Sequence, residues 1–370
     1  MNHAITARLA GLACAMLTFA AAAAPATAAT SEIGDVQQAL DVLARTSGVV
    51  GTIGEVYVDG KRVGQGSAGS RLLGGKGGRV PAGSRYRIGS QTKLLTGTVV
   101  LQLVKEGKLG LEDKLSDLLP EVASQDIVER ADEITVRQLL RHTSGIPNWF
   151  TPDLVDIYDF TTYFPPIDLV KKSRSQPRTG EPGEKFSYSN TNYTLLGMII
   201  EKVTGRSLAA EFARRFFAPL GMSRTYQAVK PPQAIKGPHG HGYSTDAEGK
   251  VHDMDRLNAS YGNGAGGVIS TSRDISAFYR AFNQGKLLPP TLQKLLTDPP
   301  ENTPSQPPLC GGDPQLRVTS GGTASFTSFT FSSTDGRIQF ATSTTTNTKD
   351  PAAISRAINH AAEAVLCPGK

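Results

Sequence analysis

The sequence predicts a mixed α/β (α+β) protein: an antiparallel sheet flanked by helices from both termini, with a mainly helical region inserted between. Three observations carry this reading. The β-rich runs Thr52–Val58 and Lys61–Ala68 are joined by Asp59-Gly60, the turn chemistry of a tight hairpin. A second set, Leu316–Thr319, Phe326–Ser332 and Arg337–Thr345, lies near the C-terminus with Asp335-Gly336 as its turn. From 108 to 267, helical patterns broken by Pro and Gly take over. The simplest assembly is one α/β unit made of residues 30–107 and 268–370, with residues 108–267 inserted as a helical domain. A site would lie in the groove between them.

The elements follow in order. Ser31–Arg45 reads as a helix before the first hairpin. Arg71–Gly83 is a glycine-rich loop, and its Gly74-Gly75-Lys76 is no phosphate loop because Gly77 follows the lysine. Arg85–Ile88 is a short strand broken by Gly89. From Ser90 onward, Leu94, Leu95, Val99, Val100, Leu103 and Val104 suit a buried helix. The clearest helices of the insert are Val136–Arg141, Thr191–Val203 and Leu208–Phe217. Asp274–Asn283, Thr291–Leu296 and a closing Ala352–Val365 are helical too.

The first 29 residues stand apart. A weakly basic start, an apolar run Leu9–Ala24 and the small residues Ala26-Thr27-Ala28-Ala29 read as a signal peptide, which predicts a secreted, extracellular protein. Cys310 and Cys367 then remain, and an even pair in an exported chain points to one disulfide. No later segment is apolar enough to span a membrane. The net charge of +6 comes without an aromatic-interleaved basic patch, which argues against nucleic acid as a partner. A positive balance suits an anionic surface such as a bacterial wall polymer.

Ser90-Gln91-Thr92-Lys93 is the only S-x-x-K in the chain. Residues three apart share a helix face, so Ser90 and Lys93 emerge side by side at a helix N-terminus. A serine hydroxyl needs a base, and a desolvated lysine kept near neutrality serves as one. Tyr188-Ser189-Asn190 offers a second pair on an extended loop. Tyr188 is a candidate base or proton relay if a neighbouring ammonium lowers its pKa, and Asn190 a donor to Lys93 or to a substrate carbonyl. Tyr261-Gly262-Asn263 competes with it, and Tyr261 reads as pocket wall. Ser320-Gly321-Gly322-Thr323 brings backbone close to a substrate; the N–H of Thr323, with that of Ser90, would form an oxyanion hole. Arg317 and Thr323 would bind a substrate carboxylate. There is no G-x-S-x-G, H-E-x-x-H or paired C-x-x-C. His239 and His241 flank a glycine in a Pro/Gly loop and read as solvent-exposed rather than as metal ligands. No cofactor or metal is expected.

Taken together, Ser90-x-x-Lys93, Tyr188-x-Asn190 and the glycine-containing triplet near the C-terminus resemble the penicillin-recognising serine hydrolases. The likeness is greatest to the secreted D-alanyl-D-alanine carboxypeptidases and class C β-lactamases of the S12 peptidases. Accessory segments agree: Lys108–Leu115, Leu139–Ile146 with His142-Thr143-Ser144-Gly145, and Gly266–Thr271. The resemblance implies a β-lactamase/transpeptidase-like fold and an acyl-serine mechanism on peptidoglycan-like peptides, β-lactams or esters, foremost removal of a terminal D-Ala. It also implies a Cys310–Cys367 bridge. The family's third motif is usually K-T-G or H-x-G; Ser320-Gly321-Gly322 takes that place and brings no charge. An esterase or amidase with the same dyad, and a wall-binding protein on a decayed hydrolase scaffold, are the alternatives.

Overall fold

The computed structural model describes residues 33–231, 233–299, 308–348 and 350–369. The expected leader, residues 1–29, lies outside them. Among the described residues no helix is long and apolar enough to cross a membrane. In chain order the strands are β1 (Val49–Val58), β2 (Lys61–Gly69), β3 (Tyr86–Arg87), β4 (Tyr226–Gln227), β5 (Tyr243–Thr245), β6 (Val251–Asp253), β7 (Val268–Ser270), β8 (Leu316–Thr323), β9 (Phe326–Ser333) and β10 (Ile338–Thr346).

The main sheet runs β2-β1-β10-β9-β8, with every neighbouring pair antiparallel. The two ends of the chain meet where β1 lies beside β10, with Gly54 opposite Thr342. The first hairpin turns at Asp59 (φ 50°) and Gly60 (φ 79°), the two positive φ angles that match the twist of paired strands. Phe331, Phe340 and Val56 meet the terminal helices Val36–Leu43 and Pro351–Leu366 on one face of the sheet. Cross-strand partners Phe331 and Phe340 stack with centroids 5.9 Å apart. Ile53 and Ala341 join the larger core with the helices Thr92–Lys105 and Ser272–Asn283. Cover on both faces explains why β1, β9 and β10 are buried along almost their whole length. Cys310 and Cys367 are bonded, with Cα atoms 5.7 Å apart, and tie the Leu309–Gly312 turn to the end of the last helix.

The helices of the central region start on recognisable caps. Thr135 and Gln138 form a reciprocal capping box before Val136–Leu140, and Ser207 caps Leu208–Phe212. The latter continues as a wide π-type turn, Ala213–Phe217. Packing is continuous between this region and the rest: Leu95 and Val99 share one apolar cluster with Leu139, Leu195, Phe212 and Phe278. A small sheet, β3-β7-β4, stitches the two further, with Tyr86 opposite Ser270 and Tyr226 opposite Ile269. From β3 the chain turns at Gly89 (φ 53°) through a 3-10 turn, Gly89–Gln91, into Thr92–Lys105. This delivers Ser90 to the foot of a buried helix, beside the free edge of β8.

Candidate active site

Ser90 and Lys93 are adjacent: Lys93 Nζ lies 3.2 Å from Ser90 Oγ. The same amine is 2.7 Å from Asn190 Oδ1 and 2.8 Å from the Ala265 carbonyl oxygen. Those two oxygens can only accept, so they engage two N–H bonds of the amine. In the neutral lysine the third valence is a lone pair, and it faces the Ser90 hydroxyl. Lys93 is 6% exposed, and burial pushes its amine down from 10.5 to about 7. The base that serine chemistry requires is thus available near neutral pH.

Tyr188 donates its hydroxyl proton to Ser90 Oγ at 2.8 Å. Its ring lies with the centroid 4.9 Å from Lys93 Nζ. The expectation of a lowered phenol pKa is overturned. Desolvation raises it, and the hydrogen bond to Ser90 only partly opposes that. With Lys93 itself near neutrality, no full ammonium is held beside the ring to pull the value down. Tyr188 is therefore a proton donor in the resting site and Lys93 the acceptor.

The strand edge differs from the expectation in three ways. β8 and β9 are joined by a two-residue turn, which closes on Thr323 opposite Phe326. Such a closing pair exchanges both backbone hydrogen bonds, and the next pair out points its N–H groups away from the partner strand. The Thr323 N–H is consequently committed to β9, and the Gly322 N–H is the one left on the free edge. A methyl group built at Gly89 would sit 2.9 Å from the Gly322 nitrogen, so this edge abuts the Ser90 turn. The oxyanion donors are thus Ser90 and Gly322, not Thr323. Arg317 also falls away from the site: it points across β8 to Asn283, at 3.1 Å, and opens with Thr319 onto a separate depression beside Leu94 and Tyr279. Ser320 is exposed and outside the cavity lining.

The cavity at Ser90 is lined by Asn190, Gly322 and Thr323 on its polar side, and by Phe150, Leu257, Ala259 and Tyr261 on its apolar side. Tyr261 is fixed there by donating to the Asp156 carbonyl at 3.0 Å and by stacking on Phe164 at 5.5 Å. Phe150 and Arg87 were not singled out by the sequence; Arg87 lies three residues before Ser90, and its spacing from the nucleophile was the available signal. Arg87 is the one cationic side chain in this lining, held by the Asp255 carbonyl at 2.6 Å. His239 is buried, contrary to the expected exposure, with Nε2 2.6 Å from Asp255. Its ring stacks at 8° on His241, which pairs with Asp253 at 2.7 Å.

The family model described as Beta-lactamase matches residues 36–364. The chain belongs to the beta-lactamase family. It is similar to Penicillin-binding protein 4 of Amycolatopsis lactamdurans, 33% identical over 250 residues that cover 66% of this chain and 62% of that relative. Protein flp of Staphylococcus aureus (strain COL) is 35% identical over 143 residues, 38% of this chain and 28% of its own length. The chain thus spans less than two thirds of these relatives. Among solved structures, a D-stereospecific amidohydrolase from Streptomyces sp. superimposes with a TM-score of 0.76 at 30% identity, covering 90% of this chain and 98% of that one. A D-amino acid amidase from Ochrobactrum anthropi SV3 shares the fold, with a TM-score of 0.75 at 23% identity, over 89% of this chain and 97% of that one. The chain is a penicillin-recognising serine hydrolase by family.

Membership lets the beta-lactamase family's third motif be placed by packing. A glycine is needed on β8 where the strand passes close to the Ser90 turn. That position is Gly321: a methyl group there would lie 1.9 Å from the Ile88 carbonyl oxygen and 2.7 Å from the Ser90 nitrogen, whereas one at Gly322 meets nothing within 4 Å. The frame is therefore Thr319-Ser320-Gly321, and Thr319, not Ser320, occupies the place of the basic residue. Either way no charged side chain enters from this edge. Gly321→Ala is expected to push β8 off the Ser90 turn and cut kcat/KM by at least ~10²-fold through the oxyanion hole. Gly322→Ala is expected to stay within about 10-fold, since its methyl enters open space. Steady-state kinetics of the two variants check this; equal losses would refute the frame.

Proposed function

We propose that the protein hydrolyses amides and esters of D-amino acids with apolar side chains, through an acyl-Ser90 intermediate. The observation that carries it is the contact of one oxygen, Ser90 Oγ, with both Lys93 Nζ and Tyr188 OH. Attack forms the Oγ–C bond as the Ser90 proton passes to Lys93. The charge developing on the carbonyl oxygen meets the Ser90 and Gly322 N–H groups. Collapse breaks the C–N or C–O bond, and Tyr188 gives its proton to the leaving atom. The proton on Lys93 then restores Tyr188. Water attacks the ester by the same route, releasing the acid and Ser90.

The apolar wall of Phe150, Leu257, Ala259 and Tyr261 supports an apolar side chain on the acyl unit. The D configuration is supported by the likeness to the D-stereospecific amidohydrolase from Streptomyces sp.. D-Alanyl-D-alanine carboxypeptidase is the second reading. It needs a cation for the terminal carboxylate; β8 brings none, and Arg87 is the side chain that would have to serve. The test is turnover of D-Phe amide, L-Phe amide and a D-Ala-D-Ala peptide side by side. The D-amide should be preferred over both by about tenfold or more, the range one or two pocket contacts supply. Faster cleavage of the D-Ala-D-Ala peptide would install the carboxypeptidase reading, and turnover of none of the three would remove both. Export is part of the proposal, supported by the leader-like run and the Cys310–Cys367 bridge.

A further inference from the structure

Tyr188 stands on a segment with little of its own to hold it. Residues Gly183–Tyr188 are exposed apart from Ser187, and Tyr188 is 45% exposed. Yet its hydroxyl has to stay within reach of Ser90. The neighbouring segment His142–Pro147 supplies the ties. The Ser187 N–H donates to the His142 carbonyl at 2.8 Å, and the Ser189 N–H donates to His142 Nδ1 at 3.2 Å. The residues on both sides of Tyr188 are thus pinned to one histidine. Its ring also lies against the Tyr188 ring, with centroids 4.6 Å apart.

The tautomer is determined by the same contacts. Ser144 Oγ donates to Asn192 Oδ1 at 2.7 Å, so the amide turns its NH₂ toward His142 Nδ1, 3.3 Å away. Two donors converge on Nδ1, so it carries a lone pair and the ring proton sits on Nε2. Burial, with Lys93 nearby, pushes the imidazole down to about 3. It therefore stays a neutral acceptor throughout the working range. His142 adopts φ 56°, a left-handed conformation that ordinary side chains resist and asparagine tolerates.

Resting on the acyl-serine reading above, we infer that His142 is a positioning residue that holds Tyr188 for protonation of the leaving group. It touches neither Ser90 nor the cavity. Its effect should fall on the one step that needs the phenol proton. An anilide must receive a proton at nitrogen to leave; a p-nitrophenyl ester leaves as a stable phenolate and needs none.

The experiment measures kcat/KM, which reports acylation, on a D-aminoacyl p-nitroanilide and the p-nitrophenyl ester of the same acyl group. His142→Ala is expected to lose about 10²-fold on the anilide and less than about 5-fold on the ester, the range general-acid assistance spans. His142→Asn keeps the left-handed backbone and places Oδ1 near the Nδ1 position. It should recover the anilide rate to within about tenfold of the wild type, and it guards against simple misfolding of the alanine variant. Parallel losses on both substrates in both variants, or an undiminished anilide rate in His142→Ala, would overturn the positioning role while leaving the hydrolase reading intact. A wild type inactive on both substrates would instead overturn the hydrolase reading, and this role with it.

Discussion

Ser90→Ala is expected to abolish the covalent adduct with a labelled penicillin and to lower turnover by roughly 10⁵–10⁶-fold, as removal of a nucleophile that acts as a unit with its base does elsewhere. The reason is that one atom is shared. Ser90 Oγ receives the Tyr188 hydroxyl at 2.8 Å and faces the Lys93 amine at 3.2 Å. Without it, neither group has a substrate-bonded oxygen to exchange protons with. Lys93 keeps Asn190 Oδ1 and the Ala265 carbonyl as partners, so the fold should be undisturbed. Intact-mass measurement with unchanged melting behaviour checks this. An adduct that survives in the variant would mean that another side chain is the nucleophile.

Lys93→Met should have the next largest effect, about 10³-fold or more on acylation, because Tyr188 is a donor and no other base among the described residues is hydrogen-bonded to Ser90. The wild-type rate should rise with pH through about 7, where the amine loses its proton, and level off above it. The variant should lose that limb. Stability gives a second readout with a defined sign. The folded lysine titrates near 7 and the unfolded one near 10.5, so between those values the unfolded chain binds the extra proton. Wild-type stability should therefore rise with pH across this window, by up to about 1.4 kcal/mol per pH unit, relative to the methionine variant. Below pH 7 both states carry the proton, and the cost of the buried ammonium is felt in full. Denaturant titrations at pH 6, 8 and 10 measure the difference. A flat difference would mean that Lys93 is not held near neutrality.

The catalytic spacing was legible because it is local. Serine and lysine three apart at a helix start face one way whatever the rest of the chain does, and Tyr188 and Asn190 come from one short segment. The hairpin turns at Asp59-Gly60 and Asp335-Gly336 have the same local origin. β8 was not legible in the same way. Which of Ser320, Gly321 and Gly322 faces the nucleophile depends on strand parity, and parity is set by where the two-residue turn closes against β9. One step of register moves the oxyanion donor from Thr323 to Gly322 and the basic position from Ser320 to Thr319. Arg317 shares the Gly321 face but lies four residues back along β8, where it meets Asn283 instead of the site. The Tyr188 pKa departs from the sequence expectation for a related reason: the sequence supplies the neighbour but not the desolvation of the hydroxyl, and desolvation decides the sign.

By itself, then, the sequence determined the fold class, because helix periodicity and turn residues act over a few positions, and it carried the short motifs on which the family resemblance rests. Only tertiary structure decided which backbone N–H is left free, which side of β8 meets Ser90, and that His142, 46 residues before Tyr188 in the chain, grips the segment that carries it. These outcomes depend on strand register and on desolvation, and both are properties of packing between segments that lie far apart along the chain.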